Sequence, residues 1–126
     1  MVVDLLVNGR TIGHLATSTD GIPHTTPVWL DYDQRSDLIL VDVAADTKKL
    51  RDVRSNPNVA LSFVDPIDNG RWVILRGMVV DVQKDDQATH IQTLALRYLG
   101  RHKRRPGFRR ILRVKTTYVR WWGESV

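Results

Sequence analysis

The pattern of apolar and polar positions along the chain reads as short strands with a few helices. Val2 to Val7 is a short apolar stretch, read as a first helix or turn. Ile12 to Thr19 is rich in β-branched residues and ends at Asp20-Gly21, a pair that favours a tight hairpin. The returning strand runs from Pro23 to Asp31, and Tyr32 to Ser36 is a polar turn. Leu38 to Val43 is nearly all apolar, which suits a strand inside a sheet. Asp46 reads as the N-cap of a short helix that buries Leu50 and Val53 and stops at Asn56-Pro57. Val59 to Val64 is a further strand. Arg71 to Val82 is a long one, with Trp72, Ile74, Arg76, Met78, Val80 and Val82 sharing one face by alternation. Asp85-Asp86 opens an amphipathic helix carrying Ala88, Ile91, Leu94, Ala95 and Tyr98. After a basic loop over 99–107, Phe108 to Lys115 and Thr117 to Trp122 read as closing strands. Hairpin turns with few helices point to a mainly β fold, a six-stranded antiparallel barrel, rather than to a doubly wound sheet.

Composition narrows the class. The chain has 126 residues, 42% hydrophobic and 26% charged, which suits one globular domain spanning 1–126. No apolar run is long enough to cross a membrane, and the first residues lack the pattern of a signal peptide. The chain has no cysteine, so disulfides, thiolate metal sites and cysteine nucleophiles are excluded, and a cytoplasmic location is the expectation. Charge is uneven: residues 1–96 sum to −4, and residues 97–126 sum to +9. Such a block reads as a nucleic-acid surface, a solvated arginine face, or a local site for a phosphorylated small molecule.

Several chemistries drop out. The chain has neither G-x-G-x-x-G nor a Walker loop, and its serines lack a nucleophile-elbow context. His14, His24, His90 and His102 have no pair at helical metal spacing, and no nearby carboxylate completes a triad of ligands, so no metal site is expected. The segment Asp46-Thr47-Lys48-Lys49-Leu50-Arg51-Asp52-Val53-Arg54 is more informative. Cations at the start of a helix oppose its dipole, at a cost of about 0.3–1 kcal/mol each. Free N–H groups gather at the same end, so the arrangement suits a phosphate, with Thr47 as a possible hydroxyl donor. Exposed lysines in water are the plainer reading, and Asp52 would blunt the field.

The order of these segments resembles the pyridoxamine 5′-phosphate oxidase-like split-barrel family. The resemblance rests on His14-Leu15-Ala16-Thr17, Asp20-Gly21-Ile22-Pro23-His24, Thr26-Pro27-Val28-Trp29, Thr47-Lys48-Lys49-Leu50-Arg51, Asn56-Pro57-Asn58-Val59-Ala60 and Trp72-Val73-Ile74-Leu75-Arg76-Gly77. Tyr98-Leu99-Gly100 and Arg110-Ile111-Leu112-Arg113-Val114 look like the small actinobacterial-type members thought to use the deazaflavin coenzyme F420 in place of FMN. The resemblance implies a homodimer of split barrels with the cofactor in a cleft between subunits. It implies that Thr47, Lys48 and Lys49 hold the cofactor phosphate, extended by Arg51. It sets Thr26, Pro27, Val28 and Trp29 against the ring, with Val43 on its pyrimidine side. Trp72 would reach the ring from a neighbouring strand, and Trp121 and Trp122 would close the partner's pocket or pack at the interface. Thr26 stands where true pyridoxamine phosphate oxidases carry an arginine, and their C-terminal Arg/His substrate-phosphate residues are not recognisable here, which argues against that particular activity. Asp52 stands where an asparagine is usual and would weaken the hold on a phosphate dianion.

The expected reaction is hydride transfer between F420, or FMN, and an unsaturated small-molecule acceptor, with the cofactor carrying the chemistry. No catalytic side chain is assigned; water, His24 or Tyr32 would supply a proton. The basic block, if it lines the cleft mouth, suits the polyglutamate tail of F420. A non-catalytic flavin, deazaflavin or haem-like carrier is the first alternative, and a nucleic-acid binder through 97–120 the second.

Overall fold

The Asp20-Gly21 pair makes the tight turn its chemistry favours: both residues have positive φ, 52° and 75°, as a type I′ hairpin requires. It joins β1 (Ile12–Thr19) to β2 (Ile22–Trp29) in unbroken antiparallel register from Ile12 opposite Trp29 to Thr19 opposite Ile22. The structure, a computed structural model, describes residues 5–6 and 10–123. The expected first helix over Val2 to Val7 therefore lies outside the described residues except for Leu5 and Leu6, which are helical and buried.

The chain continues through β3 (Asp31–Asp33), β4 (Leu38–Ala44), α1 (Lys48–Ser55), β5 (Asn58–Val64), β6 (Trp72–Lys84), α2 (Thr89–Leu99) and β7 (Arg109–Trp122). The strands form one antiparallel sheet in the order β2-β1-β5-β6-β7-β4-β3. It has seven strands rather than six, because the chain leaves β2 at Leu30 and at once pairs Asp31–Asp33 with Leu38–Leu40. The two expected closing strands are one, since β7 pairs with β4 through its first half and with β6 along its length.

Alternation decides which face is buried. Leu15, Leu61, Phe63, Val73, Leu75, Val41 and Leu112 point into one core, joined by Leu50 and Val53 from α1. Trp72, Ile74, Arg76, Met78 and Val80 lie on the opposite face, as alternation predicts. Val82 does not join them: Val80 is an extra residue in β6 opposite β7, and this bulge returns Val82 to the core side. Gly77 lies at the second irregularity, where a Cβ would stand 2.7 Å from the Lys115 carbonyl oxygen. A smaller cluster of Ala88, Ile91, Leu94 and Tyr98 packs α2 against Trp29. The outer face of β1, β5, β6 and β7 exposes Ile12, Ile74, Met78, Tyr118 and Trp122, the last at 61%.

Candidate functional site

β2 and β4 come from opposite halves of the sheet order yet approach each other, and two pockets open along that seam. The first, about 380 Å³, is lined by Ile12, Pro27, Val28, Trp29, Asp42, Val43, Ala44, Lys49, Ile91, Lys103 and Arg109. The second, about 210 Å³, is lined by Leu15, Thr17, His24, Thr25, Thr26, Thr47, Lys48, Lys49 and Asp52. Lys49 belongs to both.

The second pocket is built by the start of α1. Asp46 does not cap this helix; Thr47 is at the N-cap position with extended backbone, and no side chain caps the first turn. Asp46 is exposed and pairs with Arg51 at 3.2 Å instead. The Thr47 hydroxyl donates to the Ala44 carbonyl at 3.0 Å, so it is not the free donor expected of it. The N–H groups of the first turn have no side-chain cap, and no acidic residue lies among them.

Asp52 is buried and fully engaged. It accepts hydroxyls from Thr19 at 2.7 Å and Thr17 at 2.9 Å, and it pairs with the Lys48 ammonium at 3.0 Å. The Thr19 hydroxyl above all, with Lys48 and Thr17 behind it, overcomes burial and pulls the carboxyl down to about 2. Its charge is thus spent on holding Lys48 and two β1 hydroxyls, which moderates the repulsion it was expected to exert on a phosphate. Lys49 has no carboxylate partner among the described residues; burial first and the nearby Arg109 second hold its ammonium below the usual lysine value.

The first pocket is apolar on the β2 side and cationic on the other. Trp29 stacks on Tyr98 of α2 with centroids 5.1 Å apart, and the Lys103 ammonium lies 5.4 Å over the Trp29 ring. Tyr98 is fixed by its hydroxyl, which donates to the Thr11 carbonyl at 2.7 Å and accepts the Leu30 N–H at 3.0 Å. Behind the wall runs a charged chain. His90 bonds Asp42 through Nδ1 at 2.8 Å and Asp31 through Nε2 at 3.0 Å. Asp31 also holds Arg97, and Asp42 holds Arg109 Nε at 2.9 Å. Asp85 accepts the N–H groups of His90 and Ile91, both at 3.0 Å, and so caps α2. Burial opposes a charge on His90, but the bonds to Asp31 and Asp42 prevail and raise it to about 9. Burial, and the hydrogen bond its protonated form donates to Asp85, push Asp42 up against the opposing bonds from His90 and Arg109.

The expectation that no carboxylates complete a triad of ligands with a histidine is corrected here, because folding brings Asp31 and Asp42, 59 and 48 residues away, to His90 beside the nearby Asp85. Atoms of Asp42, Asp85 and His90 lie within 4.8 Å of one another. Each is already engaged: Asp42 by Arg109 and His90, and Asp85 by helix N–H groups.

Of the residues singled out in the sequence, Pro27, Val28, Trp29, Val43 and Lys49 line the first pocket, and Thr26, Thr47, Lys48 and Lys49 the second. Arg51 turns to solvent beside Asp46. Trp72 lies on the outer side of the sheet opposite Trp122, away from both pockets of this chain. His24 lines the second pocket, whereas the Tyr32 hydroxyl is bound by Asp37. Asp42, Lys103 and Arg109 were not found from sequence; a lone aspartate inside the apolar stretch Leu38 to Val43 was the available signal.

The basic block divides. Arg97, Arg109, Arg110 and Arg113 pair with Asp31, Asp42, Asp86 and Asp33. The loop carrying Arg101, Lys103, Arg104 and Arg105 makes an outward cationic surface beside the first pocket, while the exposed Lys115 and Arg120 lie elsewhere along β7, so the block does not line a cleft mouth as a whole.

The profile of the pyridoxamine 5′-phosphate oxidase family matches residues 2–123, and the chain belongs to that family. A solved F420 reductase is 27% identical, with a TM-score of 0.82 over 95% of this chain and 97% of that one. A conserved hypothetical protein of Mycobacterium tuberculosis shares the fold at 24% identity and TM-score 0.72, covering 96% of this chain and 81% of the other. A putative pyridoxamine 5′-phosphate oxidase of Listeria innocua shares it at 15% identity and TM-score 0.69, covering 95% and 94%. Among curated proteins, the flagellar brake protein YcgR of Leptothrix cholodnii is 32% identical over 90 residues, 71% of this chain. The aligned region spans only 34% of that protein. No helix among the described residues is long and apolar enough to cross a membrane.

Proposed function

We propose that this chain is an oxidoreductase that holds coenzyme F420, with FMN as the alternative, and serves hydride transfer to an unsaturated small-molecule acceptor. The observation that carries this reading is the shared wall at Lys49. A polar pocket at an uncapped helix start runs into a larger pocket walled by Pro27, Val28, Trp29 and Val43, as a ligand with a phosphoryl group and a flat ring requires. The residues fit such a group: Lys49 and the first-turn N–H groups of α1 would hold the phosphoryl, with Lys48 contributing through a charge it shares with Asp52. When bound, the coenzyme supplies the hydride chemistry itself. Trp29, clamped on Tyr98, gives the ring wall a fixed plane and excludes water from one side. Lys49 and Arg109 set a positive potential across the pocket from it, and Lys103 adds a cation over the Trp29 ring itself. F420 is favoured over FMN by the F420 reductase likeness and by the cationic loop 101–105, which suits a polycarboxylate tail.

The site is completed, on this reading, by a second copy of the chain. Ile74, Met78, Tyr118 and Trp122, exposed on the outer face, would meet that second copy, and Trp72 on the same face would then reach its cleft. The four arginines paired inside the domain are lost to a nucleic-acid surface, which disfavours that alternative.

Absorbance titration with F420 and with FMN tests the reading, followed by turnover of the reduced coenzyme with enone, quinone and conjugated pyrrole acceptors. Binding with oxidation of the reduced coenzyme is expected. Binding without turnover on any acceptor favours a carrier, and failure to bind either coenzyme overturns the proposal.

A further inference from the structure

We propose that Arg109 is the fixed cation of the ring pocket and that His90, acting through Asp42, is the residue that positions it. This deepens the functional reading above and rests on it. Three cations reach the pocket: Lys49 from α1, Lys103 from the loop after α2, and Arg109 from β7. The two lysines are flexible, and Arg109 lowers both of their pKa values after burial has done so. A guanidinium presents its donors in a rigid planar fork, unlike an ammonium on a flexible stem. Its direction is set as well: Nε donates to Asp42 Oδ1 at 2.9 Å, and Nη2 lies 3.4 Å from the Asp42 carbonyl oxygen. Nη1 has no hydrogen-bond partner among the described residues and is not among the buried unpaired atoms, so it is accessible at the pocket wall.

Asp42 cannot hold Arg109 alone. It is buried, and Asp85 presses a second carboxyl against it. His90 balances that pair from α2, bonded to Asp42 on one nitrogen and to Asp31 of β3 on the other, while Arg97 neutralises the far side of Asp31. The groups facing the chain are therefore Asp31, Asp42 and Asp85 against His90, Arg97 and Arg109, with Lys49 and Lys103 beyond. Asp42 and Asp85 hydrogen-bond each other, which lessens the negative charge His90, Arg97 and Arg109 must balance, and the two lysines face the pocket. A ring whose imide side gains negative charge on two-electron reduction meets its complement here, and a fixed cation favours the reduced form.

The test is the midpoint potential of whichever of the two coenzymes binds, measured on the holoprotein across pH 6 to 10. Arg109→Met should weaken binding of the reduced relative to the oxidised coenzyme at least tenfold, a fall of about 30 mV for a two-electron couple. His90→Gln should fall in the same direction with the coenzyme still bound. The wild-type potential should lose its excess as pH rises through about 9, where His90 gives up its proton, and His90→Gln should lack that break. Lys103, itself held below the usual lysine value, titrates on the alkaline side too, so Lys103→Met should keep the break; that variant guards against a His90 substitution that fails to fold. Failure of the wild type to bind either coenzyme defeats the functional reading and this inference together. Binding with an unchanged potential in Arg109→Met defeats the inference alone. A fall in Arg109→Met, with neither a pH break nor a His90→Gln effect, removes His90 from the role.

Discussion

Two adjacent lysines at the start of α1 differ in what surrounds them, and single substitutions should separate them. Lys48 is paired with Asp52, whereas Lys49 lines both pockets and has no carboxylate partner among the described residues. Lys49→Ala should weaken F420 or FMN binding at least about tenfold, with the thermal midpoint unchanged, since a charged hydrogen bond contributes about 1.5–3 kcal/mol. Isothermal titration beside a melting curve checks both halves. Acid should act through Asp52. Its folded pKa is depressed from 3.8 to about 2, so its stabilisation is present above pH 3.8 and is lost as pH falls toward 2. Asp52→Asn should flatten urea midpoints over that window. His90 works at the other end. Its pKa is raised from 6.5 to about 9, so its contribution is complete below pH 6.5 and disappears as pH rises through about 9. Denaturation at pH 6 and at pH 9.5 would register this as a loss of about 1–3 kcal/mol.

At the scale of elements, β6 and β7 depend on close approach at Gly77. A methyl group there would meet the Lys115 carbonyl oxygen and a Val114 methyl, both at 2.7 Å, and neither is a freely movable side-chain end. Gly77→Ala should cost about 1–3 kcal/mol in urea denaturation, because the bulged ladder must open to admit it. The elements also show what was legible beforehand. The Asp20-Gly21 hairpin and the Thr47-Lys48-Lys49 helix start are local, so neighbouring residues announce them. The bulge at Val80 is not local: it exists only because β7 has one residue fewer opposite, and alternation therefore assigned Val82 to the wrong face. The cap of α1 was misread for a similar reason. Asp46 has the right chemistry, but the chain reaches the helix one residue later, and Arg51 takes the carboxylate.

For the whole molecule, the half of the site that sequence could not show is the half assembled over distance. Asp42 meets Arg109 across 67 residues and His90 across 48, and no local pattern encodes either meeting. The apolar side, by contrast, came from the family resemblance, which names the contiguous run Thr26-Pro27-Val28-Trp29, three of which line the first pocket. The exposed outer face leads to a prediction at this scale. Light scattering should show a dimer, and Ile74→Asp, at the centre of that face, should give a monomer with the fold retained by circular dichroism. The same substitution should weaken coenzyme binding if the partner completes the cleft. A monomeric wild type would detach Trp72 from the site.

One last feature bears on how the molecule behaves in a crowded solution. β2 ends the sheet on one side, where an unpaired strand invites foreign chains to add on. Pro23 and Pro27 occupy it at the same register parity, opposite Ser18 and His14, so the missing donors leave gaps along the outward row. The rim that frames the ligand is thereby also a poor template for fibril growth, and exchanging either proline for valine would trade away that protection.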